Sequence, residues 1–90
     1  MSRRDSRHSA VALAYAPEDR APRVVAKGRG HLAQKIKSVA REHGVPMVEN
    51  VPLAQALYKS TEVGDFIPAA LFEAVAEVLA YLIRLKQLVL

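Results

Sequence analysis

The stretch that decides the fold is Ala21-Pro22-Arg23-Val24-Val25-Ala26-Lys27-Gly28. It predicts a β-strand from Arg23 to Lys27, because valines favour extended backbone and a glycine marks the strand's end. The next residues, from His31 to His43, place apolar side chains at helical spacing at Leu32, Ile36, Val39 and Ala40. Gly44 lies just past this predicted helix, in the position where glycine commonly ends one. The sequence therefore predicts a strand followed directly by an amphipathic helix.

Two further strands are predicted on either side of this unit. Ser9 to Tyr15 alternates valine, leucine and tyrosine with alanine, so both faces of that strand are apolar and we expect both to be covered. Val45 to Glu49 is short and apolar and is predicted as the third strand. Since a helix joins the second and third strands, we expect those two to be parallel, with a right-handed crossover.

Two more helices complete the prediction. Pro52 fits the first turn of a short helix that reaches about Lys59, and Pro68 begins a last helix that reaches about Leu85. The expected fold is therefore α/β, with a small mixed three-stranded sheet packed with about three helices.

Length and composition favour one small domain. The chain has 90 residues, a net charge of +4 and no cysteine, so disulfides and cysteine-based zinc sites are excluded. We expect a disordered segment at 1–7, a single domain at 8–87 and a C-terminal tail at 88–90. Unbroken apolar runs such as 10–16 and 78–83 are far shorter than the roughly 20 residues that a bilayer requires, so no direct membrane insertion is expected.

A basic stretch without any acid runs from Arg20 to Arg41. It leaves open that the chain is a small basic nucleic-acid-binding module. The aromatic residues do not interleave with these cations as they would on a base-stacking surface, so that alternative depends on charge alone. A solvated basic face is the simpler interpretation, and we expect no nucleic-acid partner.

A second alternative is a dinucleotide site. Gly28-Arg29-Gly30-His31-Leu32-Ala33 matches a glycine-rich fingerprint between strand and helix, and Glu49 lies about 20 residues further on, where a ribose-binding acid would be expected. However, too few strands remain after Glu49 for such a domain. His31 and His43 lie at opposite ends of one helix, so that helix cannot place both on one metal ion. No catalytic set, metal site or cofactor is predicted.

Three ordered segments carry a resemblance to a known family: Ala21 to Gly28, Val45 to Tyr58 and Ala74 to Tyr81. Together they resemble the cytoplasmic domain of the type III secretion and flagellar export-switch family, the FlhB/YscU-like proteins. The resemblance implies a non-enzymatic, cytoplasmic interaction module associated with the membrane export apparatus. Its implied partners are export-gate proteins and export substrates. Since family members also have a membrane domain, the chain looks like a stand-alone form that lacks it.

The resemblance also implies which residues carry function. Members usually cleave themselves at an Asn-Pro-Thr-His loop, and the matching positions here are Asp5, Ser6, Arg7 and His8. Only the histidine is retained, so we expect a degenerate loop without self-cleavage. An apolar patch that recognises export substrates in the family corresponds here to Ala21, Pro22, Ala76 and Leu79.

Overall fold

The computed structural model describes residues 8–16, 18–80 and 87–90. Within them the chain forms strand β1 (Ser9–Ala14), strand β2 (Arg23–Arg29), helix α1 (His31–Glu42), helix α2 (Val51–Ser60), a 3-10 turn (Ala69–Leu71), helix α3 (Phe72–Ala80) and strand β3 (Gln87–Val89). The α/β class, the three-stranded sheet and the three helices are confirmed. The predicted disordered segment 1–7 lies outside the described residues.

The three strands form one antiparallel sheet in the order β2-β1-β3. Strand β1 is central in the sheet, and both of its faces are covered, as their apolar character predicts. Between the pairs Ala12↔Ala26 and Leu13↔Val24 the register shifts, so that Val25 is an extra residue on β2. This β-bulge turns both Val25 and Ala26 toward the same face of the sheet, beside Ala12.

The predicted third strand was wrong. Val45 to Glu49 forms only an isolated parallel bridge, Met47↔Val89, and the third strand is β3. The expected parallel crossover next to β2 is also wrong, because this segment lies at the opposite edge, beside β3. Pro46 has no backbone N–H, which limits the ladder that the segment can build.

The expected tail at 88–90 was wrong as well. Leu88, Val89 and Leu90 are 1%, 3% and 4% exposed, because β3 is inserted between β1 and the segment around Met47. Three successive apolar residues suit a strand that is covered on both faces.

Two hydrophobic cores lie on opposite faces of the sheet. The first joins the sheet to α2 and α3 and contains mainly large residues: Val11, Leu13, Ala21, Val24, Leu53, Ala54, Leu57, Ile67, Val75, Val78, Leu88 and Leu90. The second joins the sheet to α1 and contains small ones: Ala10, Ala33, Ala40 and Val89. The prediction that the apolar stripe of α1 faces the core was therefore only partly right, since Ala40 is buried but Leu32 and Val39 are 52% and 45% exposed.

Gly28 explains how closely α1 approaches the sheet. A Cβ added at this buried glycine would lie 2.4 Å from Cγ of Leu32. Only glycine leaves room for the first turn of the helix above β2. The last helix is also shorter at its start than predicted, because Ala69–Leu71 forms a 3-10 turn before α3. Its predicted end, 81–85, lies outside the described residues.

Side-chain hydrogen bonds fix both ends of α2. The Asn50 side chain accepts a hydrogen bond from the Leu53 N–H at 3.2 Å, which caps the N-terminus. At the other end, the Lys27 Nζ donates to the carbonyls of Tyr58 and Thr61, at 3.0 and 2.5 Å. A cation at the C-terminal carbonyls complements the helix dipole and ties α2 to β2.

Candidate functional site: an apolar cleft between α3 and the loop before β2

The four residues of the implied recognition patch meet in one cleft. Ala21 and Pro22 come from the loop before β2, and Ala76 and Leu79 come from successive turns of α3. The open cleft has a volume of about 410 Å³. Its lining is Tyr15, Arg20, Ala21, Pro22, Ile67, Phe72, Val75, Ala76, Leu79 and Ala80.

Local backbone bonds hold the loop side of the cleft in place. The Ile67 N–H donates to the Pro22 carbonyl at 3.0 Å, which joins the loop to the segment that leads into α3. The Asp19 side chain accepts from the Ala16 N–H at 3.1 Å and closes a turn at the start of the loop. Hydrogen bonds therefore constrain the loop side of the cleft.

Burial separates the floor of the cleft from its walls. Ala21, Ile67 and Val75 are 4%, 3% and 1% exposed and form the floor. Ala76 is exposed, and Phe72, one turn earlier on the same face of α3, is 46% exposed. Leu79 is partly buried against the core and also lines the cleft, so it contributes both to core packing and to the cleft surface.

The lining of the cleft is almost entirely apolar. Among its described lining residues Arg20 is the only charged one, and the remainder are apolar apart from the tyrosine hydroxyl. Such a lining offers apolar area, two aromatic side chains and one cation, and it offers no nucleophile–base pair. Pockets of this kind bind apolar side chains of a partner.

Part of the basic stretch makes contacts within the molecule. The Arg23 guanidinium lies 4.5 Å from the centre of the Phe66 ring, and that of Arg29 lies 4.3 Å from the centre of the Tyr58 ring. The Lys27 side chain is only 16% exposed and is held by the C-terminal end of α2. Three of its cations are therefore engaged within the molecule, which weakens the case for a nucleic-acid surface.

The dinucleotide alternative does not agree with the fold. Gly28 belongs to β2 and its role is the close approach of Leu32, whereas Gly30, with φ of 57°, forms the turn into α1. The segment that ends at Glu49 lies beyond β3 at the far edge of the sheet, away from β2. A dinucleotide fingerprint needs those two strands side by side and parallel.

Comparison with known proteins identifies the family. The model of the "FlhB HrpN YscU SpaS Family" matches residues 4–82. The chain belongs to this family.

Relatives and solved structures agree with that assignment. The flagellar biosynthetic protein FlhB of Bacillus subtilis is 51% identical over 81 residues, which are 89% of this chain and 22% of that protein. FlhB of Aquifex aeolicus is 48% identical over the same length. The chain thus spans about a fifth of the length of the curated relatives it matches.

The crystal structure of the cytoplasmic domain of FlhB from Shewanella putrefaciens has a TM-score of 0.81 and 47% identity, and the match covers 87% of this chain and 64% of that one. The crystal structure of the PscU C-terminal domain has a TM-score of 0.80 and 38% identity, covering 83% of this chain and 96% of that one. These matches confirm the FlhB/YscU-like fold.

Of the four residues expected to form a degenerate cleavage loop, Asp5, Ser6 and Arg7 lie outside the described residues. His8 is half-buried, and its carbonyl accepts from the Gly30 N–H at 3.0 Å, which extends the pairing of β1 with β2. Its neighbours in a shallow cleft include Lys37, Arg41 and Glu49. The described part of the chain holds no cluster of His, Cys, Asp or Glu suited to a metal ion. It also contains no helix that is both long and apolar enough to span a bilayer.

The sequence did not predict a second apolar cleft. It has a volume of about 470 Å³ and lies between α1 and the sheet, where Val25, Leu32 and Val39 are all 45–52% exposed. Helical periodicity assigned Leu32 and Val39 to the core. The signal that could have corrected this was the row of small residues on both elements, which brings α1 so close to the sheet that larger side chains are left at its flank.

Proposed function

We propose that this chain is a cytoplasmic, non-enzymatic interaction module of the flagellar or type III protein export apparatus. It binds export substrates or export-gate components in the cleft formed by Ala21, Pro22, Ala76 and Leu79. The observation that carries the proposal is the meeting of these four residues, from two distant segments, in one open apolar cleft of a family member.

The character of the cleft supports protein docking over catalysis. A buried floor and exposed walls give a partner's side chain a preformed pocket, which lowers the ordering cost of binding. Tyr15 and Phe72, which are 38% and 46% exposed, are residue types that commonly act as anchors at interfaces. The relatives named above are flagellar biosynthetic proteins, which supports an export component as the partner.

A charge placed in the cleft tests the proposal. Ala76→Glu introduces a carboxylate at an exposed wall position, where it does not disturb the core. Ala70→Glu is the matched control, because Ala70 is also exposed but does not line the cleft. NMR titration of the labelled chain with purified flagellar or injectisome export substrates measures the affinity. Ala76→Glu should bind at least tenfold more weakly than the unaltered chain, and Ala70→Glu should bind as the unaltered chain does. Equal affinities for both variants and the unaltered chain, or shifts confined to other surfaces, would refute the cleft as the docking site.

We also expect the chain to remain intact, since Asp5 and Ser6 stand where self-cleaving members have the cyclising Asn and its Pro. A carboxylate is ionised near neutral pH and does not cyclise onto its own carbonyl as an amide does. Intact-mass spectrometry after prolonged incubation should give one species at the full-length mass. A fragment that ends at Asp5 would contradict this.

A further inference from the structure

The cleft between α1 and the sheet, about 470 Å³ in volume, is apolar on its walls and on its floor. One wall is α1, from which Leu32, Ile36 and Val39 line the cleft at positions i, i+4 and i+7. The other wall is the bulge of β2, and the floor consists of small residues of the sheet: Ala12, Ala26 and Val89. We call this surface the α1 groove.

The apolar walls of the α1 groove remain open to solvent. Val25, Leu32 and Val39 are 46%, 52% and 45% exposed. Single apolar residues at a surface are ordinary, whereas a contiguous apolar patch bordered by polar residues is typical of an interaction site. The β-bulge enlarges the patch, because it places Val25 beside Ala26 on the face of the sheet that α1 covers.

The two elements that form the walls are strongly basic. Among the described lining residues, with histidine neutral, Lys35 is the only charged one, and it is exposed. The one acid of these elements, Glu42, does not line the groove. Together β2 and α1 carry six cations: Arg23, Lys27, Arg29, Lys35, Lys37 and Arg41. The field at the groove is therefore positive and favours an occupant that carries acidic side chains beside its apolar ones.

The shape of the groove suits a helix. From Leu32 to His43, both of which line the groove, the chain rises about 16 Å along the helix axis. Three turns of a partner helix cover this length and present apolar side chains at the same spacing. An anionic bilayer cannot enter a concave groove, since membrane binding requires apolar side chains that protrude. A second copy of this chain would bring the same cations against one another.

We propose that the α1 groove is a docking site for an acidic amphipathic helix of another protein. The apolar stripe of that helix rests on Val25, Leu32 and Val39, and its acidic side chains lie beside Lys35. The α1 groove and the cleft at Ala76 belong to opposite faces of the sheet. The proposal therefore does not depend on the docking function proposed above, and the chain can hold both partners at once.

The probe is a fluorescein-labelled synthetic peptide of about 18 residues, with leucine at every third or fourth position and glutamate and alanine between the leucines. Two control peptides separate shape from charge. One has the same composition in scrambled order, and the other has lysine in place of glutamate. Fluorescence anisotropy should show that the unaltered chain binds the acidic amphipathic peptide at least tenfold more tightly than either control.

Val39→Asp places a carboxylate on the wall of the groove. Ser38→Asp is the matched control, because it adds the same charge at the neighbouring exposed position of α1, which does not line the groove. Val39→Asp should bind the acidic peptide at least tenfold more weakly than the unaltered chain, and Ser38→Asp should bind within about twofold of it. Ala76→Glu should leave the affinity unchanged, which separates failure of this proposal from failure of the proposed function.

Lys35→Gln tests the contribution of charge. Because Lys35 is exposed and its ion pairs are screened, the affinity should fall about threefold and depend less on salt concentration. Lys59→Gln is the matched control, since it removes the same charge from an exposed position on α2 outside the groove, and its affinity should equal that of the unaltered chain.

Equal affinities of Val39→Asp and Ser38→Asp, or equal binding of the acidic peptide and its scrambled form, would overturn the proposal. Binding to phosphatidylglycerol vesicles that is tighter than binding to the peptide and is lost in Val39→Asp would make a membrane the occupant instead. A dimer in light scattering that Val39→Asp dissociates would make the occupant a second copy of this chain. If Val39→Asp changes the circular dichroism spectrum, the three peptides and Lys35→Gln decide alone.

Discussion

The two faces of the sheet are packed in opposite ways. Toward α2 and α3 the core consists of large residues such as Leu13, Leu57 and Val75, all at most 2% exposed. Toward α1 the buried residues are Ala10, Ala33 and Ala40, with one valine from β3. Large side chains hold a helix away from the sheet and enclose apolar area, while small ones bring a helix close and enclose little.

This difference decides which residues stay at the surface. Because α1 lies close above Gly28, Leu32 and Val39 cannot enter the space beneath it and remain about half exposed. On the other face, α3 contributes Val75 and Val78 to the core and still offers Ala76 to solvent. Stability should therefore come mainly from the face with large residues, and the following changes test that expectation.

The largest effect is expected for Leu57→Ala. Leu57 is fully buried on α2, so the change leaves a cavity and should lower the free energy of unfolding by about 3 kcal/mol. Leu32→Ala is the matched control on the other face, and it should cost less than about 1 kcal/mol because Leu32 is 52% exposed. Urea unfolding followed by circular dichroism measures both values. Similar losses for the two leucines would show that the α1 face contributes as much as the other.

A smaller effect is expected for Gly28→Ala. The new methyl group would lie 2.4 Å from Cγ and 2.8 Å from Cβ of Leu32, and relief of this overlap should cost about 1–3 kcal/mol. Leu32→Ala in the same chain removes Cγ but keeps Cβ, so it should restore part of the loss and give a measurable coupling in a double-mutant cycle. Strictly additive losses would mean that the helix is not limited by this contact.

The smallest effect is expected for Lys27→Met, which keeps the apolar stem and removes the ammonium from the Tyr58 and Thr61 carbonyls. We expect a loss of about 1 kcal/mol in the free energy of unfolding, since hydrogen bonds of a charged group to carbonyls are replaced by none. Lys59→Met, an exposed lysine on the same helix, is the control and should be neutral. If Lys27→Met left the free energy of unfolding unchanged, packing alone would hold α2 on its face of the sheet.

Much of the fold could be predicted from local pattern. The alternation in β1 predicted a strand covered on both faces, and the spacing of Pro52 and Gly44 located helix ends within one or two residues of those observed. The third strand could not be predicted in this way. Residues 45–49 and 87–90 are both short and apolar, and the choice between them depends on which segment reaches β1 with free N–H groups on both sides.

The candidate site, too, could be predicted only in part. Its four residues were found through a family resemblance, and their spacing in the sequence, from Ala21 to Leu79, gives no sign that they meet. The structure adds Tyr15, Ile67 and Phe72 to the same cleft. No local signal marks these three, because their proximity results from the packing of α3 against the loop before β2.

By itself, the sequence determined the α/β class, a first strand covered on both faces, the three helices and the family, because each of these depends on periodicity or on ordered motifs along the chain. Only the tertiary structure decided which segment completes the sheet, which apolar side chains remain exposed, and how the apolar cleft beside α3 is assembled. These three outcomes depend on distances between segments that are remote in sequence. One of them is the distance between α1 and the sheet, which is short because Gly28, Ala33 and Ala40 are small.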